Sequence, residues 1–255
     1  RPFATQVARP LLEIFFGRLD ARTVSSRASA NLLNRYFPGS YEMTPSGVDP
    51  VEPAQDSDGP LRIAFSDREE KGALRLFLRG LRRLPADLDW TATIFSDEPG
   101  ELDFRVSKTI RDRIKVIGPD QVSLAELLSV SHVYCATSTG PRPASAVLRQ
   151  AMAAGAVPVA STIGRYTELV GDGQRGMLFP TGDPVTLAGQ ITRLGNDPAL
   201  LAKLKKAATG TDLVKDWDSI VDEIEGLYGR IASRRHVIKR NPAIVKKLAG
   251  RPLID

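Results

Sequence analysis

Four residues with phosphate-binding character, Ser138–Pro141, stand just before a helix that the apolar spacing predicts at residues 143–154. The first amide groups of a helix have no partner inside the helix, and the helix dipole places partial positive charge there. Gly140 lets a ligand approach the backbone closely. The segment is therefore a candidate site for a phosphate group. Helix starts are common, so an ordinary turn that binds nothing remains the alternative.

Histidine and cysteine are too scarce in this sequence for several other kinds of chemistry. His132 and His236 are far apart and have no partner at metal-ligand spacing, so no zinc site is expected. Cys135 is the only cysteine, which excludes an internal disulfide and favours a reducing, cytoplasmic setting. Cys135 and His132 fall on one predicted strand. We expect the thiol of Cys135 to be buried and unreactive, and His132 to be a hydrogen-bonded residue at the edge of the strand.

The elements that must position the candidate phosphate site alternate regularly from Leu61 onward. Apolar runs predict strands at 61–65, 91–96, 114–117, 132–136, 156–160 and 176–179. Amphipathic spacing predicts helices at 71–84, 104–112, 122–129, 143–154, 165–170, 184–195 and 198–208. This alternation predicts an α/β fold, a Rossmann-like parallel sheet with helices on both faces. Such sheets bind ligands beyond the carboxyl ends of their strands.

Composition divides the chain around this predicted domain, residues 61–210. Residues 1–50 carry two helical patterns and two short strands, and residues 51–60 are a linker rich in Pro, Asp and Gly. An amphipathic helix lies within residues 211–232. No apolar run reaches the roughly 18–20 residues that span a bilayer, so no transmembrane segment is expected. Because the sequence opens on Arg1 without a Met, we expect an excised or processed piece.

Positive charge is concentrated in the last segment, residues 233–255. Between Arg230 and Arg251 there are eight Lys or Arg residues and no Asp or Glu, in a chain of formal net charge +5. We expect this tail to cover the flank of the domain, to bridge to a further domain, or to contact an anionic surface. No aromatic residues interleave the charges, so nucleic acid binding is not expected.

The turn from Arg149 to Ser161 breaks a helix at Gly155 and enters a buried strand at once. It resembles the segment "E-A-M-A-x-G-x-P-V-(V/A)-A-S" of the group 1, retaining, GT-B fold glycosyltransferases. Further segments resemble motifs of that family in the same order and spacing. These are Ser46–Asp49 ("P-x-G-V-D"), Lys71–Gly72 ("G-R-x-x-x-x-K-G"), Ala136–Ser138 ("x-P-S"), Ile163–Gly176 ("D-G-x-x-G-x-L" after a helix) and Trp217–Tyr228 (the terminal crossover helix). Together they cover residues 44–230.

The resemblance implies a site for a nucleotide-sugar donor. In the family, an Arg and a Lys after the first strand of the C-terminal domain hold the donor diphosphate. Lys71 stands at the Lys position and Ser66 at the Arg position, with Arg68 close by as a substitute. Two acids of the family contact the sugar and the ribose, and here those positions hold Arg142 and Gln150. Gln150 keeps one acceptor for ribose, whereas Arg142 reverses the charge beside the sugar.

The implied donor-binding residues form one set, and the resemblance assigns no catalytic residue. They are Ser66, Arg68, Lys71, Ser138, Gly140, Arg142 and Gln150. The alternative is that Arg68 and Lys71 face solvent and that residues 142–150 are only a packed loop and helix start.

The resemblance also implies a function: the donor-binding domain of a metal-independent nucleotide-sugar glycosyltransferase. It needs no cofactor beyond its donor substrate, and its acceptor is not identified by the sequence. Residues 1–50 would be a remnant of an N-terminal Rossmann-like domain, so we expect no sugar transfer from this chain alone. An unpaired strand edge and an apolar face within residues 1–45 predict self-association.

Two other functions compete with this one. Because the family's acids are replaced, the chain could be a degenerate, non-catalytic scaffold or regulatory module. An unrelated Rossmann-type binding domain is disfavoured, because no G-x-G-x-x-G follows a predicted strand.

Overall fold

The computed structural model describes residues 12, 14–53, 59–101, 108–140 and 143–240. Six strands within this range form a wholly parallel sheet, as predicted. They are β3 (Leu61–Ser66), β4 (Trp90–Phe95), β5 (Ile114–Ile117), β6 (Val133–Ala136), β7 (Val157–Ser161) and β8 (Met177–Phe179). Their spatial order is β5-β4-β3-β6-β7-β8. Every residue of β6 and β7 is buried, which explains why these strands read as continuous apolar runs.

Seven helices connect and cover these strands. They are α2 (Lys71–Leu81), α3 (Lys108–Arg111), α4 (Leu124–Ser129), α5 (Ser145–Ala153), α6 (Gly164–Val170), α7 (Pro184–Asn196) and α8 (Pro198–Thr209). Asp183 and Asp197 each cap a helix whose first residue is proline, a position where the missing N–H costs nothing. The predicted helices are thus present, with ends shifted by a few residues wherever both ends are described.

Successive side chains of a strand point to opposite faces of the sheet. The sheet therefore carries two hydrophobic cores, one on each face. On one face, Phe65 of β3 stacks on Phe77 of α2 with ring centroids 4.8 Å apart, and α7 and α8 complete the layer. On the other face, Ala64 and Tyr134 pack against α4, α5 and α6. Burial of each large apolar side chain contributes about 1.5–3 kcal/mol, so both cores hold the strand ends in place.

Gly155 joins α5 to β7 in a backbone conformation that other residues rarely adopt. Its φ is +86°, and a Cβ there would lie 2.9 Å from Cβ of Pro53. Both observations require glycine. The helix-to-strand turn predicted at this position is therefore present.

The chain divides into two compact units, one of which is Ser46–Asp216 and contains the six-stranded sheet. The other comprises the described residues up to Pro45 and those from Trp217 onward. In this second unit, β1 (Thr23–Val24) pairs in parallel with β2 (Glu42–Met43) across α1 (Arg27–Asn34), which Ser26 caps. The long helix α9 (Trp217–Arg240) joins them through an ion pair from Arg230 to Glu42.

Helix α9 extends eight residues beyond residue 232, the end of the range predicted to contain this helix. It buries Ile220 and Leu227 but leaves the aromatic side chains of Trp217 and Tyr228 exposed. Of the predicted tail, residues 241–255 lie outside the described residues, as do residues 54–58 of the linker. No helix among the described residues is long and apolar enough to cross a membrane.

Candidate functional site

The strand order reverses between β3 and β6, and this reversal opens a crevice at the carboxyl ends of the two strands. The loop after β3 runs from Asp67 to Glu70, and the loop after β6 begins at Thr137. Ser66 and Ser138, both predicted site residues, are fully buried at these two strand ends. The fold therefore brings the predicted segments 66–71 and 138–140 to opposite sides of one crevice.

Glu70 ties the two loops together. One carboxylate oxygen accepts a hydrogen bond from the Ser138 hydroxyl at 2.6 Å. The other accepts from the Thr139 backbone N–H and from the Thr139 hydroxyl, the latter at 3.1 Å. Burial alone would raise the pKa of Glu70, but these hydrogen bonds outweigh it and lower the pKa below 4.5. Glu70 is thus an ionised clamp on the loop that was predicted to bind phosphate.

The loop after β6 is also fixed from beneath. The Thr137 hydroxyl donates to the Ala73 carbonyl at 2.9 Å, and the Ser161 hydroxyl donates to the Ser138 carbonyl at 2.5 Å. The Gly140 amide donates to the Ser138 hydroxyl oxygen at 3.3 Å. The loop is therefore held rigidly, and the amides of Thr139 and Gly140 are already hydrogen-bonded within the protein. Arg142, predicted to lie beside the sugar, falls outside the described residues.

Lys71 is the first residue of α2, and its side chain is exposed. Within the described part of the chain, no hydrogen bond or ion pair engages its ammonium group. No side chain caps the start of α2 either, so the first amides of the helix stay available. The start of α2 therefore offers both an exposed cation and a helix N-terminus to an anion in the crevice.

Arg68, the predicted substitute for the family's arginine, is held by Asp97. Its Nε and Nη2 atoms donate to the two carboxylate oxygens of Asp97 at 2.9 and 2.8 Å. The pair raises the pKa of Arg68 and lowers that of Asp97. Both side chains are about half exposed, so the pair contributes at most about 1 kcal/mol and can exchange for another anion.

Gln150 is buried on α5, and its side-chain amide forms hydrogen bonds with both the N–H and the carbonyl of Asp49. Its Oε1 accepts from the Asp49 N–H at 2.7 Å, and its Nε2 donates to the Asp49 carbonyl at 2.8 Å. The amide thus fastens residues 46–49, the segment that resembles the family's interdomain link, to the Rossmann-like unit. The predicted ribose contact of Gln150 stays a prediction.

Glu69 is a residue of the crevice that reasoning from the sequence missed. It is only 6% exposed, and its Oε1 accepts the Tyr166 hydroxyl of α6 at 2.5 Å. Burial raises the pKa of this carboxyl to about 8, although the bond from Tyr166 and the amides of Ser138 and Thr137 act in the opposite direction. Two adjacent acids where phosphate binding was expected are an anomaly, which could have marked the position from the sequence.

Cys135 and His132 lie in the surroundings that the sequence predicts for them. Cys135 is fully buried, and burial raises its pKa, so the thiol stays protonated and inert. His132 accepts a hydrogen bond from the Arg62 N–H at 3.1 Å, at the end of β6 opposite the crevice. No group of three or more His, Cys, Asp or Glu residues that could hold a metal ion is found in the described ranges.

Comparison with protein families decides which proteins this chain resembles. The family described as "Glycosyl transferases group 1" matches residues 62–197, which is more than half of the chain. The chain belongs to the group 1 glycosyltransferases. The match spans both sides of the crevice, from β3 to the end of α7.

The curated relatives of this glycosyltransferase chain include several proteins named phosphatidyl-myo-inositol mannosyltransferase. The protein of Mycobacterium leprae is 30% identical over 125 residues, which are 48% of this chain and 33% of the relative. The protein of Mycolicibacterium smegmatis is 24% identical over 239 residues, which are 89% of this chain and 60% of the relative. The chain therefore spans a third of the length of one relative and 60% of the other.

Solved structures share the fold at lower identity. The structure of Anabaena Alr3699/HepE in complex with UDP-glucose superposes with a TM-score of 0.71 at 20% identity, covering 89% of this chain and 68% of that one. Sucrose-phosphate synthase from Thermosynechococcus elongatus gives a TM-score of 0.69 at 20% identity, over 90% of this chain and 62% of that one. The predicted Rossmann-like, GT-B type fold is thereby confirmed.

Proposed function

We propose that the unit Ser46–Asp216 is the donor-binding domain of a retaining glycosyltransferase that uses a nucleotide-diphosphate sugar. The observation that carries the proposal is the pairing of an uncapped helix start and an exposed Lys71 with the clamped loop Ser138–Gly140 across the crevice. Family membership and the UDP-glucose bound by HepE support it.

In this proposal the diphosphate lies at the start of α2. The ammonium of Lys71 and the first amides of the helix bind its oxygens and offset the charge that develops on the leaving group. Arg68 adds a second cation when the diphosphate replaces Asp97. Charge neutralisation by side chains lets donor binding proceed without a metal ion.

The nucleoside and the sugar extend to either side of the diphosphate. Gln150 can reach a ribose hydroxyl only if one of its two bonds to Asp49 is given up, which predicts weaker ribose binding than a free carboxylate would give. Arg142 would lie beside the transferred sugar, where a cation favours an anionic or strongly polar donor. No described residue is assigned to acceptor activation, so we expect donor binding rather than sugar transfer from this chain alone.

Calorimetric titration with UDP tests the proposal. Wild-type protein should bind UDP with micromolar affinity, and Lys71→Ala should weaken binding by roughly ten- to a hundredfold, because a charge-assisted hydrogen bond is lost. Arg75→Ala is the matched control, since Arg75 is an exposed cation one turn further along α2. Flat heats at millimolar UDP would contradict donor binding and favour a non-catalytic scaffold.

A further inference from the structure

A row of exposed cations runs along the outward face of α2. Lys71, Arg75 and Arg79 are spaced four residues apart, and Arg83 continues the row just beyond the helix. No Asp or Glu occurs between residues 71 and 83. Residues four apart are neighbours on a helix surface, so each step of the row places like charges side by side, which destabilises the helix. A partner of opposite charge would offset this repulsion.

The helix dipole accounts for only part of the row. Cations are favoured near the end of a helix and acids near its start. Arg79 lies in the last turn, and the Arg83 guanidinium donates to the Arg79 carbonyl at 2.8 Å. Lys71 and Arg75 lie in the first half of α2, whose first turn holds no acid. Among the described residues no ion pair engages either of them, so their charges are available to a partner.

Positive charge also covers the two helices beside α2. The helices α2, α7 and α8 share one face of the sheet, and together they contain seven Lys or Arg residues and no Asp or Glu. Arg193 of α7 and Lys203 and Lys206 of α8 are exposed. The unit as a whole is nearly neutral, because residues 46–216 hold 21 Lys or Arg and 22 Asp or Glu. Cations are thus concentrated on these three helices, which we call the basic layer.

The shape and composition of the basic layer decide which kind of anion it fits. Helix α7 packs against both α2 and α8. Packed helices lie about 8–10 Å apart, so the layer is wider than the roughly 12 Å major groove of DNA. Its one aromatic side chain, Phe77, is buried, so no base can stack on it. Val185, which is 64% exposed in the first turn of α7, adds an apolar group beside the cations. A broad anionic surface with an apolar interior matches these features.

We propose that the outward surface of the basic layer binds a lipid bilayer that contains anionic phospholipids. Arginine and lysine bind phosphate headgroups through charge-assisted hydrogen bonds, and their long side chains reach the headgroups while the helices stay packed on the sheet. Val185 fits the boundary between headgroups and acyl chains. Because α2 begins at the crevice, a bound bilayer would hold its headgroups next to the proposed donor site. The binding itself does not depend on the proposed function.

Co-sedimentation of the whole chain with vesicles tests the proposal. Wild-type protein should sediment with vesicles of equal parts phosphatidylcholine and phosphatidylglycerol, and should stay in solution with phosphatidylcholine alone. Arg75→Glu with Arg79→Glu should weaken the binding by about thirtyfold or more, because two cations near the lipid surface are lost and two anions are added. These changes also place acids four residues from Lys71 and Arg83, so the thermal midpoint of the protein should not fall.

A charge-matched control distinguishes the basic layer from the net charge of the chain. Arg35→Glu with Lys115→Glu removes two exposed cations outside the layer and should bind as the wild type does. Lys115 of β5 points away from α2, because its neighbours Ile114 and Val116 pack in the core beneath that helix. The basic segment 233–255 is the same in every variant, so any binding by that segment is common to all of them.

A second pair of substitutions covers the far side of the basic layer. Lys203→Glu with Lys206→Glu on α8 should also weaken vesicle binding, and it tests the proposal even if the α2 variant does not fold. Absence of wild-type binding to the anionic vesicles would overturn the proposal, as would α2 and α8 variants that bind as the control does. Wild-type binding to a DNA duplex but not to vesicles, lost in the α2 variant, would identify a nucleic acid as the partner instead.

Discussion

Glu69 and Glu70 are neighbours in sequence, yet their surroundings push their pKa values in opposite directions. Glu69 is enclosed beside Tyr134 and Tyr166, so its neutral form is favoured. Glu70 receives hydrogen bonds from Ser138 and Thr139, so its charged form is favoured. The two neighbouring carboxyls therefore differ in charge at neutral pH: Glu69 is mostly neutral, whereas Glu70 is an anionic clamp on the loop after β6.

The raised pKa of Glu69 predicts how stability depends on pH. Between pH 4.5 and 8 the folded state keeps a proton that the unfolded state has released, so the free energy of unfolding falls as the pH rises. The loss is on the order of a few kcal/mol by pH 8 and constant above it. Urea denaturation of wild type and Glu69→Gln across this range should show this fall as a difference between the two proteins that grows with pH. Parallel curves would contradict the burial of a neutral Glu69.

Gln150 gives a second prediction about a single side chain. Gln150→Glu restores the acid typical of the family but replaces the Nε2 donor with an oxygen facing the Asp49 carbonyl at 2.8 Å. We expect the free energy of unfolding to fall by about 1–3 kcal/mol, since the carbonyl loses its donor and meets a negative charge. Gln174→Glu, at an exposed position, is the control in the same denaturation experiment. Tighter UDP binding without loss of stability would show that Gln150 is free to leave Asp49.

Among the secondary-structure elements, the turn from α5 to β7 gives the clearest prediction about stability. Gly155→Ala places a Cβ against Pro53 in a backbone region that alanine avoids, so we expect a loss of about 1–3 kcal/mol in the free energy of unfolding. Gly189→Ala, inside α7 with open space around it, should instead stabilise by up to about 1 kcal/mol. Thermal denaturation compares the two. Equal effects would mean that the conformation of Gly155 is not required.

The elements themselves were predictable because their signals are local. Continuous apolar runs predicted β6 and β7, and Asp-Pro pairs mark the starts of α7 and α8. The strand order follows from right-handed crossovers and the resemblance to the family. The crevice between β3 and β6 was therefore within reach of the sequence.

The chemistry of the crevice could not be predicted from the sequence, because it depends on contacts between residues that are far apart in the chain. Glu69 meets Tyr166 across 97 positions, and Gln150 meets Asp49 across 101. Local spacing carries no signal of such pairs. The same limit applies to Arg68, whose positive charge was predicted to face phosphate but is engaged by Asp97.

At the scale of the whole molecule, the described residues of the unit that holds β1, β2 and α9 expose several large apolar side chains. No residue of α1 is buried, and Phe15 and Tyr36 are 60% and 52% exposed. Apolar patches of this kind are normally covered by a partner. We therefore expect the chain to self-associate through residues 1–45.

Light scattering at increasing concentration measures this association. The weight-average mass should rise with concentration in wild-type protein and stay monomeric in Phe15→Glu with Leu32→Glu, because charge on an apolar contact opposes its burial. Val185→Glu changes an equally exposed residue in the other unit and should behave as the wild type does. A strictly monomeric wild type would contradict the expectation.

The bond between Val48 and the end of the Rossmann-like unit has a consequence for engineering. The Val48 N–H donates to the Lys215 carbonyl at 2.9 Å, and Val48 bridges to Asp216, so both ends of Ser46–Asp216 lie side by side. A few added residues could join them into a backbone-cyclised ring, or graft the unit into a surface loop of another protein. Circularisation would lower the entropy of the unfolded chain without straining the native fold. The unit Ser46–Asp216 can therefore be transferred as a single piece.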